Sequence, residues 1–217
     1  MDFDQERQLM VDEQLRLRGI TDPLVLESMG LVPRHLFVPE HLLHSAYRDG
    51  PLPIGEDQTI SQPYIVALMV QCLQLKPGSR VLEIGTGSAY GAAVLAQMGM
   101  EVYTIERLPN LADLASAQLK ELSFESVHVR IGDGSLGWPE KAPFDGIIVT
   151  AASPEIPEAL CAQLSPGALM VIPIGDVVNQ SLLKVSKSDT EELKIETVAD
   201  VRFVPLIGEQ GWRIQED

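Results

Sequence analysis

The clearest pattern in the chain is a series of short apolar segments that alternate with helical segments. The apolar segments span residues 81–84, 102–105, 127–131, 144–150 and 168–174. The helical segments between them cover about 88–98, 109–122 and 155–163. Continuous apolar strands separated by helices are typical of a parallel sheet that is covered on both faces. We therefore expect an α/β fold with a doubly wound, mostly parallel, Rossmann-like sheet and helices on both faces.

The residues before this core have weaker patterns. Residues 4–18 contain strong helix formers and are followed by Gly19, which predicts one amphipathic helix. A short helix is expected after Asp22 and Pro23, which suit the cap and the first turn. Residues 32–58 are rich in Pro and Gly and lack periodicity, so we expect a loop with short helical pieces. A loop of this length is unusual unless it carries function.

Along the chain, we expect a helix before the strands of the core and two further strands after them. The core face of the helix should consist of Ile65, Leu68, Met69, Cys72 and Leu73, which recur at helical spacing. Near the end, "SLLKVSKS" and "LKIETVADVRFVPL" predict two strands joined by a polar turn at Asp189-Thr190, which suit an antiparallel edge.

The length of 217 residues indicates a single domain, 1–217. Within it we expect three parts: an N-terminal helical and loop part that binds substrate (1–75), a cofactor-binding core (76–175) and C-terminal strands (176–217).

Composition narrows the classes of partner. The net charge of −15 opposes binding to nucleic acid, because phosphate contacts need a basic surface. No segment reaches the roughly 18 apolar residues of a membrane span, and the acidic N-terminus lacks the apolar segment of a signal peptide. Cys72 and Cys161 lie in separate apolar stretches and indicate a reducing compartment. We expect a cytoplasmic monomer with no membrane or nucleic-acid partner.

The turn after the first core strand indicates a bound cofactor. Gly85 and Gly87 follow the strand directly, and glycine lets the backbone approach a ligand closely. Ligands of doubly wound sheets bind at the carboxyl ends of the strands. Glu106 ends the second strand, 21 residues after Gly85, a spacing at which a carboxylate accepts hydrogen bonds from ribose hydroxyls. These features predict a nucleoside-containing cofactor; the alternative for Glu106 is a solvated charge at a strand end.

The identity of the cofactor depends on the residues around the turn. Tyr90 stands where the dinucleotide fingerprint requires its third glycine, which disfavours NAD. Glu83-x-Gly85-x-Gly87-x-Ala89 instead resembles the E-x-G-x-G-x-G motif of Class I S-adenosylmethionine-dependent methyltransferases, with alanine at the third glycine.

A wider resemblance extends from about residue 7 to residue 213. The segments "DGPLPIGEDQTISQPYIVALM", "VLEIGTGSAYGAAVLAQM", "VYTIERLPNLADLA", "GDGSLGW", "FDGIIVTAASPEIPEAL", "LSPGALMVIPIG" and "VRFVPLIGEQGW" occur in this order. Together they resemble the protein-L-isoaspartate O-methyltransferase family, and "QTISQP" is specific to it. Two residues depart from the family pattern: Ala89 replaces a glycine of the cofactor turn, and Asp57 replaces a glycine just before "QTIS". Ala89 should be tolerated unless this position takes a positive φ, and Asp57 adds a negative charge near the expected docking site of an anionic substrate.

The resemblance implies an enzyme that transfers a methyl group from S-adenosylmethionine to the α-carboxylate of L-isoaspartyl residues, the first step in the repair of damaged proteins and peptides. A carboxylate is already ionised at neutral pH, so the reaction needs no general base. Catalysis then consists mainly of positioning.

The family motif places the active-site serine at Ser61, with Thr59 as a second hydroxyl. Ser61 is expected at the entry of the helix that begins near Pro63, where free N–H groups favour an anion. The alternative is that Ser61 only caps that helix.

The remaining predicted site residues surround the cofactor. Asp133 and Gly134 end the third strand, where related enzymes contact the adenine, Thr150 and Ala151 leave space for the sulfonium end, and Glu83 orients the methionyl end. The structural alternatives are a turn aspartate, ordinary small loop residues and a carboxylate paired with backbone. The full cofactor set is Glu83, Gly85, Thr86, Gly87, Ser88, Glu106, Arg107, Asp133, Gly134, Thr150 and Ala151, with no metal ligand.

Two other functions are considered. Asp57 suits a methyltransferase that acts on a different carboxylate or on a small molecule, and Ala89 suits a non-catalytic relative that binds the cofactor. An NAD-dependent dehydrogenase is the least favoured, because of Tyr90.

Overall fold

The computed structural model describes residues 2–188, 190 and 192–213, and begins with a helix that changes its winding. Helix α1, Phe3–Leu9, continues as a π-helical segment, Met10–Leu15, and a 3₁₀ turn, Arg16–Arg18. Gly19 ends it at φ +90°. The predicted helix over 4–18 is confirmed, and its wider π turn places Met10, Val11 and Leu15 together in the core.

The next segment forms the second helix and a long connection. Helix α2, Pro23–Leu31, is capped as predicted, because the Asp22 carboxylate accepts a hydrogen bond from the Leu24 N–H at 2.9 Å. Two 3₁₀ helices follow, Arg34–Phe37 and Glu40–Ser45.

A small hairpin then forms, with strands β1, Leu52–Gly55, and β2, Gln58–Ile60. The prediction of a loop with short helical pieces is therefore wrong for this hairpin. Its strands have four and three residues, too few to show alternation. Its turn residues Glu56 and Asp57 take φ +50° and +55° without the usual glycine.

Helix α3, Pro63–Cys72, packs between the N-terminal helices and the sheet. Of its predicted core face, Met69 and Leu73 are buried, while Ile65, Leu68 and Cys72 are only partly buried. Val66, Ala67 and Val70 are buried in addition. The predicted stripe was too narrow, because the helix has neighbours on more than one side.

The central sheet has seven strands. They are β3, Arg80–Ile84; β4, Glu101–Glu106; β5, Val127–Ile131; β6, Phe144–Val149; β7, Leu164–Gly175; β8, Gln180–Lys187; and β9, Leu193–Val201. Their order is β5-β4-β3-β6-β7-β8-β9, with parallel pairing through β7 and antiparallel pairing for the last two strands. The predicted mostly parallel sheet with an antiparallel edge is confirmed.

The end of the last strand differs from the prediction. Strand β9 ends at Val201 rather than continuing to Leu206. The following residues cross the carboxyl ends of the strands, where the Ala152 N–H donates to the Val204 carbonyl and the Leu206 N–H donates to the Ala152 carbonyl, each at 2.8 Å. Of the predicted polar turn before β9, Asp189 lies outside the described residues.

Helices cover both faces of the sheet. Helices α4, Tyr90–Gln97, and α5, Pro109–Glu121, join α2 and α3 on one face, and α6, Glu158–Ala162, lies on the other. Along β3, Val81 packs into the first layer and Leu82 into the second, as the period of two requires. The order in which the chain adds strands to the sheet reverses between β3 and β6. A ligand is therefore expected at the carboxyl ends of these two strands. No helix in the described part of the chain is long and apolar enough to span a bilayer.

Candidate active site

A cavity of about 320 Å³ opens where the carboxyl ends of β3, β4 and β6 meet. Its floor is the turn that follows β3, together with the ends of β4 and β6. Two segments distant in sequence complete its walls: residues 57–61 of the hairpin and residues 204–207 after β9. The cavity therefore lies at the position that the sheet order predicts for a ligand.

The turn after β3 is held by the end of β6. Gly85 has φ +92° and Gly87 has φ +51°. A Cβ atom at Gly85 would collide with Thr150 Oγ1, so only glycine fits there. The Thr150 hydroxyl lies 2.8 Å from the Gly85 carbonyl oxygen and 3.0 Å from that of Ile84, and its hydrogen is shared between them. Thr150 thus fixes the turn and lines the cavity at the same time.

Glu106 anchors the other side of the turn. One of its carboxylate oxygens accepts a hydrogen bond from the Gly87 N–H at 2.9 Å, and the other accepts from the Leu108 N–H at 3.0 Å. Its side chain lines the cavity although the residue is only 6% exposed. Glu106 is therefore not the solvated strand-end charge considered as the alternative. Each oxygen keeps lone-pair capacity for a ligand hydroxyl.

Glu83 lies beneath the turn in a buried polar chain. The Thr104 hydroxyl donates to one Glu83 carboxylate oxygen at 2.7 Å, and the Thr86 and Thr104 hydroxyl oxygens are 2.7 Å apart. Burial raises the pKa of Glu83 to about 8, the Thr104 hydrogen bond opposes this shift, and the nearby charge of Glu106 adds to it. With this pKa, the Glu83 carboxyl that borders the cavity is mostly protonated at neutral pH.

Ala89 occupies a backbone conformation that normally selects glycine. Its φ is +69°, so the position does take a positive φ. Backbone hydrogen bonds impose this geometry, because the Ala89 N–H donates to the Thr86 carbonyl at 2.8 Å and its own carbonyl accepts from the Ala93 N–H at 2.9 Å. Alanine in this region costs about 1–2 kcal/mol. The turn is nevertheless closed, and it leads into α4 at Tyr90.

Asp133 is turned away from this cavity. One of its oxygens accepts from the Ser135 N–H at 2.9 Å and the Ser135 hydroxyl at 2.7 Å, and the other accepts from the Glu209 N–H at 2.7 Å. The carboxylate thereby ties the C-terminal segment to the end of β5. Of the predicted pair, Gly134 lines the cavity and Asp133 does not. These contacts fit the alternative interpretation of Asp133 as a turn aspartate.

The structure brings the other predicted cofactor residues to the cavity wall. These are Glu83, Gly85, Thr86, Gly87, Ser88, Glu106, Arg107, Gly134, Thr150 and Ala151. Sequence reasoning missed the contribution of Val204, Pro205, Leu206 and Ile207. These residues carry no reactive group, and their only signal was the resemblance of "VRFVPL" to the family.

A second cavity of about 420 Å³ adjoins the first. The two share four lining residues, namely Thr59, Ser61, Thr150 and Val204. The second cavity is otherwise bounded by Pro51, Gln62, Ile65 and residues 200–203. Asp57 lines the first cavity and not the second.

Ser61 stands at the junction of the two cavities with a free hydroxyl. Gln62, not Ser61, is the N-cap residue of α3, and its side chain makes no cap hydrogen bond. Within the described residues, the hydroxyls of Ser61 and Thr59 form no hydrogen bond. The alternative that Ser61 merely caps the helix is therefore wrong. Its backbone carbonyl is engaged, because it accepts a hydrogen bond from Arg34 Nη2 at 2.8 Å.

Comparisons with known proteins agree with this geometry. The family described as "Protein-L-isoaspartate(D-aspartate) O-methyltransferase (PCMT)" matches residues 5–211. A protein-L-isoaspartate O-methyltransferase of Trichlorobacter lovleyi is 54% identical over 214 residues, which cover 99% of either chain. The one from Syntrophotalea carbinolica is 50% identical over 217 residues, the full length of both.

Solved structures show the same similarity. A protein-L-isoaspartate O-methyltransferase superposes with a TM-score of 0.86 at 28% identity, covering 96% of this chain and 67% of that one. A Plasmodium falciparum beta-aspartate methyltransferase in complex with S-adenosyl-L-homocysteine gives a TM-score of 0.79 at 27% identity, covering 93% and 98% of the two chains.

The strained turn predicts unusual responses at residue 89. In Ala89→Gly, relief of the left-handed strain is offset by the lost buried methyl group, about 0.8 kcal/mol, and by a more flexible unfolded chain, about 0.4–1 kcal/mol. We expect its free energy of unfolding in urea to stay within about 1 kcal/mol of the parent, whereas Ala89→Val should lose more than about 2 kcal/mol. Ala92→Gly in the interior of α4 is the matched control and should lose about 2 kcal/mol, because it loses helix propensity and a buried methyl group with no strain to relieve. Equal losses for both glycine variants would contradict the strain at Ala89.

The raised pKa of Glu83 predicts a pH-dependent stability. Between the usual pKa of 4.5 and about 8, the folded protein keeps a proton that the unfolded chain releases. This contribution is complete below pH 4.5 and is lost as the pH rises through 8, by up to about 5 kcal/mol. The difference in unfolding free energy between Glu83→Gln and the parent should therefore move in favour of the variant from pH 5 to pH 8. The exposed Glu125→Gln is the control, and a flat difference for Glu83→Gln would refute the assignment.

Proposed function

This chain belongs to the protein-L-isoaspartate(D-aspartate) O-methyltransferase family, and we propose that its two adjoining cavities hold the cofactor and the substrate of the reaction. The enzyme transfers a methyl group from S-adenosylmethionine to L-isoaspartyl residues of proteins and thereby initiates their repair. The observation that carries the proposal is that the cavities meet at Ser61, whose hydroxyl has no other partner among the described residues.

The first cavity fits the cofactor in shape and charge. Gly85 and Gly87 leave backbone rather than side chains at its floor, and Glu106 is held in place by two N–H groups while it faces the interior. Glu106 and Asp57 make the wall acidic, which suits a ligand with cationic groups, and a bound cationic group would favour the charged form of Glu83. When bound, S-adenosylmethionine supplies a methyl group on a positively charged sulfur.

We assign separate roles to the cofactor residues. Glu106 accepts hydrogen bonds from the ribose hydroxyls, and the turn at Gly85, Thr86, Gly87 and Ser88 supports the adjacent part of the molecule. Glu83 faces the methionyl end, where its charged form would pair with an ammonium group. The remaining wall residues are Arg107, Gly134, Thr150 and Ala151. Asp133 acts indirectly, by holding the C-terminal segment over the cavity.

The second cavity suits the isoaspartyl residue and its neighbours. Its inner end carries the hydroxyls of Ser61 and Thr59, which can each donate one hydrogen bond to a carboxylate oxygen. Because the substrate carboxylate is ionised at neutral pH, these residues need only orient it and exclude water. Asp200 in β9 and Arg202 just after it also line this cavity and offer charged groups to the flanking peptide.

The predicted division into three parts is kept with one amendment. We propose that 1–75 supplies the substrate-binding hydroxyls, that 76–175 supplies the cofactor core, and that 176–217 contributes to both cavities through residues 200–207.

Two features of the sequence had favoured other functions. Asp57 lies on the cofactor side, and Ala89 keeps the turn conformation, so neither now supports a different acceptor or an inactive relative.

Removal of the Ser61 hydroxyl tests the assignment. Ser61→Ala should lower kcat/KM for an isoaspartyl peptide by about 100-fold, because the carboxylate loses an oriented donor, while the Kd for S-adenosylmethionine stays within twofold. The assay is methyl transfer from labelled cofactor, with the aspartyl form of the same peptide as the negative substrate. Ser116→Ala on α5, far from the site, is the matched control and should be unaffected. Full activity in Ser61→Ala would exclude the proposed role.

We further propose that the enzyme acts as a cytoplasmic monomer that does not bind nucleic acid. Its net charge is −15, and Cys72 and Cys161 are unpaired, as in a reducing compartment. Light scattering during size-exclusion chromatography should give a mass near 23.7 kDa. A mass twice as large would contradict the monomer.

A further inference from the structure

Arg34 is a fully buried cation that does not line either cavity. It begins the 3₁₀ helix Arg34–Phe37, and its side chain is 0% exposed. Neither the catalytic hydroxyls nor the cofactor residues explain why an arginine occupies this position. Its neighbours, however, come from both sides of the active site.

Three contacts place Arg34 behind the wall of the site. Nε donates a hydrogen bond to the Ala46 carbonyl at 2.8 Å, and Nη2 donates to the Ser61 carbonyl at 2.8 Å. The guanidinium carbon lies 4.8 Å from the centroid of the Tyr90 ring, and Tyr90 is the first residue of the helix after the cofactor turn. Arg34 therefore joins the long connection after α2, the Ser61 segment and the cofactor turn.

The charge of Arg34 has no carboxylate partner. In the part of the chain that the structure describes, no acidic side chain forms an ion pair with it, and Nη1 has no hydrogen-bond partner. Burial lowers the pKa of Arg34 to about 10, so the group stays charged at neutral pH. An unpaired buried charge is strongly unfavourable. Two carbonyl groups can be satisfied by neutral donors, so hydrogen bonding alone does not account for a cation here.

The reaction itself supplies an anion beside this charge. The substrate presents a carboxylate, and an acidic protein repels it in general. The cavity on the cofactor side adds Glu106 and Asp57, which repel it further, while the arginines at the cavity walls, Arg107 in the first and Arg202 in the second, lie beside acidic residues of the same linings. A cation bonded to the Ser61 peptide group compensates this repulsion at short range, in a poorly solvated region where Coulomb interactions are strong.

We propose that Arg34 is a positioning residue for the substrate: it holds the Ser61 segment through the Ser61 carbonyl, and its unpaired charge favours a carboxylate bound at the Ser61 hydroxyl. This inference rests on the proposed function, because it assumes that the substrate carboxylate binds at Ser61. It adds a residue from outside the cavity to the groups that decide which substrates bind.

The test compares two peptides and two variants. The peptides are an isoaspartyl peptide and its analogue in which the α-carboxylate is a neutral carboxamide. Their Kd values are measured with the cofactor product S-adenosylhomocysteine bound. The variants are Arg34→Gln, which can still donate a hydrogen bond but has no charge, and Arg34→Lys, which keeps the charge.

The parent should prefer the carboxylate peptide by tenfold or more. Arg34→Gln should reduce that preference at least fivefold and raise KM more than it lowers kcat, whereas Arg34→Lys should retain most of the preference. If Arg34 had a purely structural role, Arg34→Gln would weaken the binding of both peptides equally and leave the preference unchanged. That result would overturn the proposal. Thermal unfolding and the Kd for S-adenosylmethionine show that each variant is folded. If Arg34→Gln does not fold, the test rests on Arg34→Lys. Loss of the carboxylate preference in folded Arg34→Lys would overturn the proposal, and retention of the preference would support it.

Ser61→Ala separates this proposal from the assignment of the substrate site. If the parent shows a carboxylate preference that Ser61→Ala does not reduce, the substrate carboxylate does not bind at Ser61 and the proposed function fails first. If Ser61→Ala reduces the preference and Arg34→Gln does not, only the role of Arg34 fails. Non-additive effects in the Arg34→Gln and Ser61→Ala double variant would show that the two residues act through the same contact.

Discussion

The active site depends on one backbone constraint, the closed turn at residues 85–89 between the end of β3 and the start of α4. The turn takes positive φ at three of its residues, Gly85, Gly87 and Ala89. It is held on one side by the Thr150 hydroxyl and on the other by the Glu106 carboxylate. Because Glu106 ends β4 and Thr150 directly follows β6, the two strands that flank β3 fix the floor of the first cavity. A turn clamped in this way is set before the ligand arrives, which lowers the ordering that binding requires.

The charges around that turn follow a consistent physical logic. The carboxylates of Glu106 and Asp57 make the wall of the first cavity acidic, which suits the cationic cofactor that we assign to it. In the proposed assignment, the substrate brings a carboxylate of the same sign to the adjoining cavity, so the site must separate the two environments over a short distance. Arg202 lines that second cavity, and Arg34, bonded to the Ser61 carbonyl, adds a buried positive charge behind Ser61.

The reaction needs little chemistry from side chains, and the structure reflects this. The nucleophile is ionised before it binds and the electrophile belongs to the cofactor. What remains is alignment, which we assign to the three regions that line the cavities: Thr59 of the hairpin with Ser61 after it, the core strands, and residues 204–207 after β9. Asp133 contributes to this alignment, because its carboxylate accepts a hydrogen bond from the Glu209 N–H and so holds the C-terminal segment near the end of β5.

Features with a local signal could be predicted from the order of residues alone. Apolar runs and helical periods predicted the parallel sheet, its antiparallel edge and the helices on both faces, because burial on both faces of a strand leaves a continuous apolar run. The glycine turn, Glu106 and the motif around Ser61 likewise identified most of the cavity wall. The folded structure was needed for features that no local pattern reveals. It showed that Ala89 takes a positive φ, that Asp133 faces the C-terminal segment, that Asp57 lies on the cofactor side and that Arg34 bonds to the Ser61 carbonyl. Asp133, Asp57 and Arg34 leave no periodic signal in the chain, since their contacts depend on how remote segments pack against each other, and the φ of Ala89 is set by backbone hydrogen bonds that its residue type does not reveal.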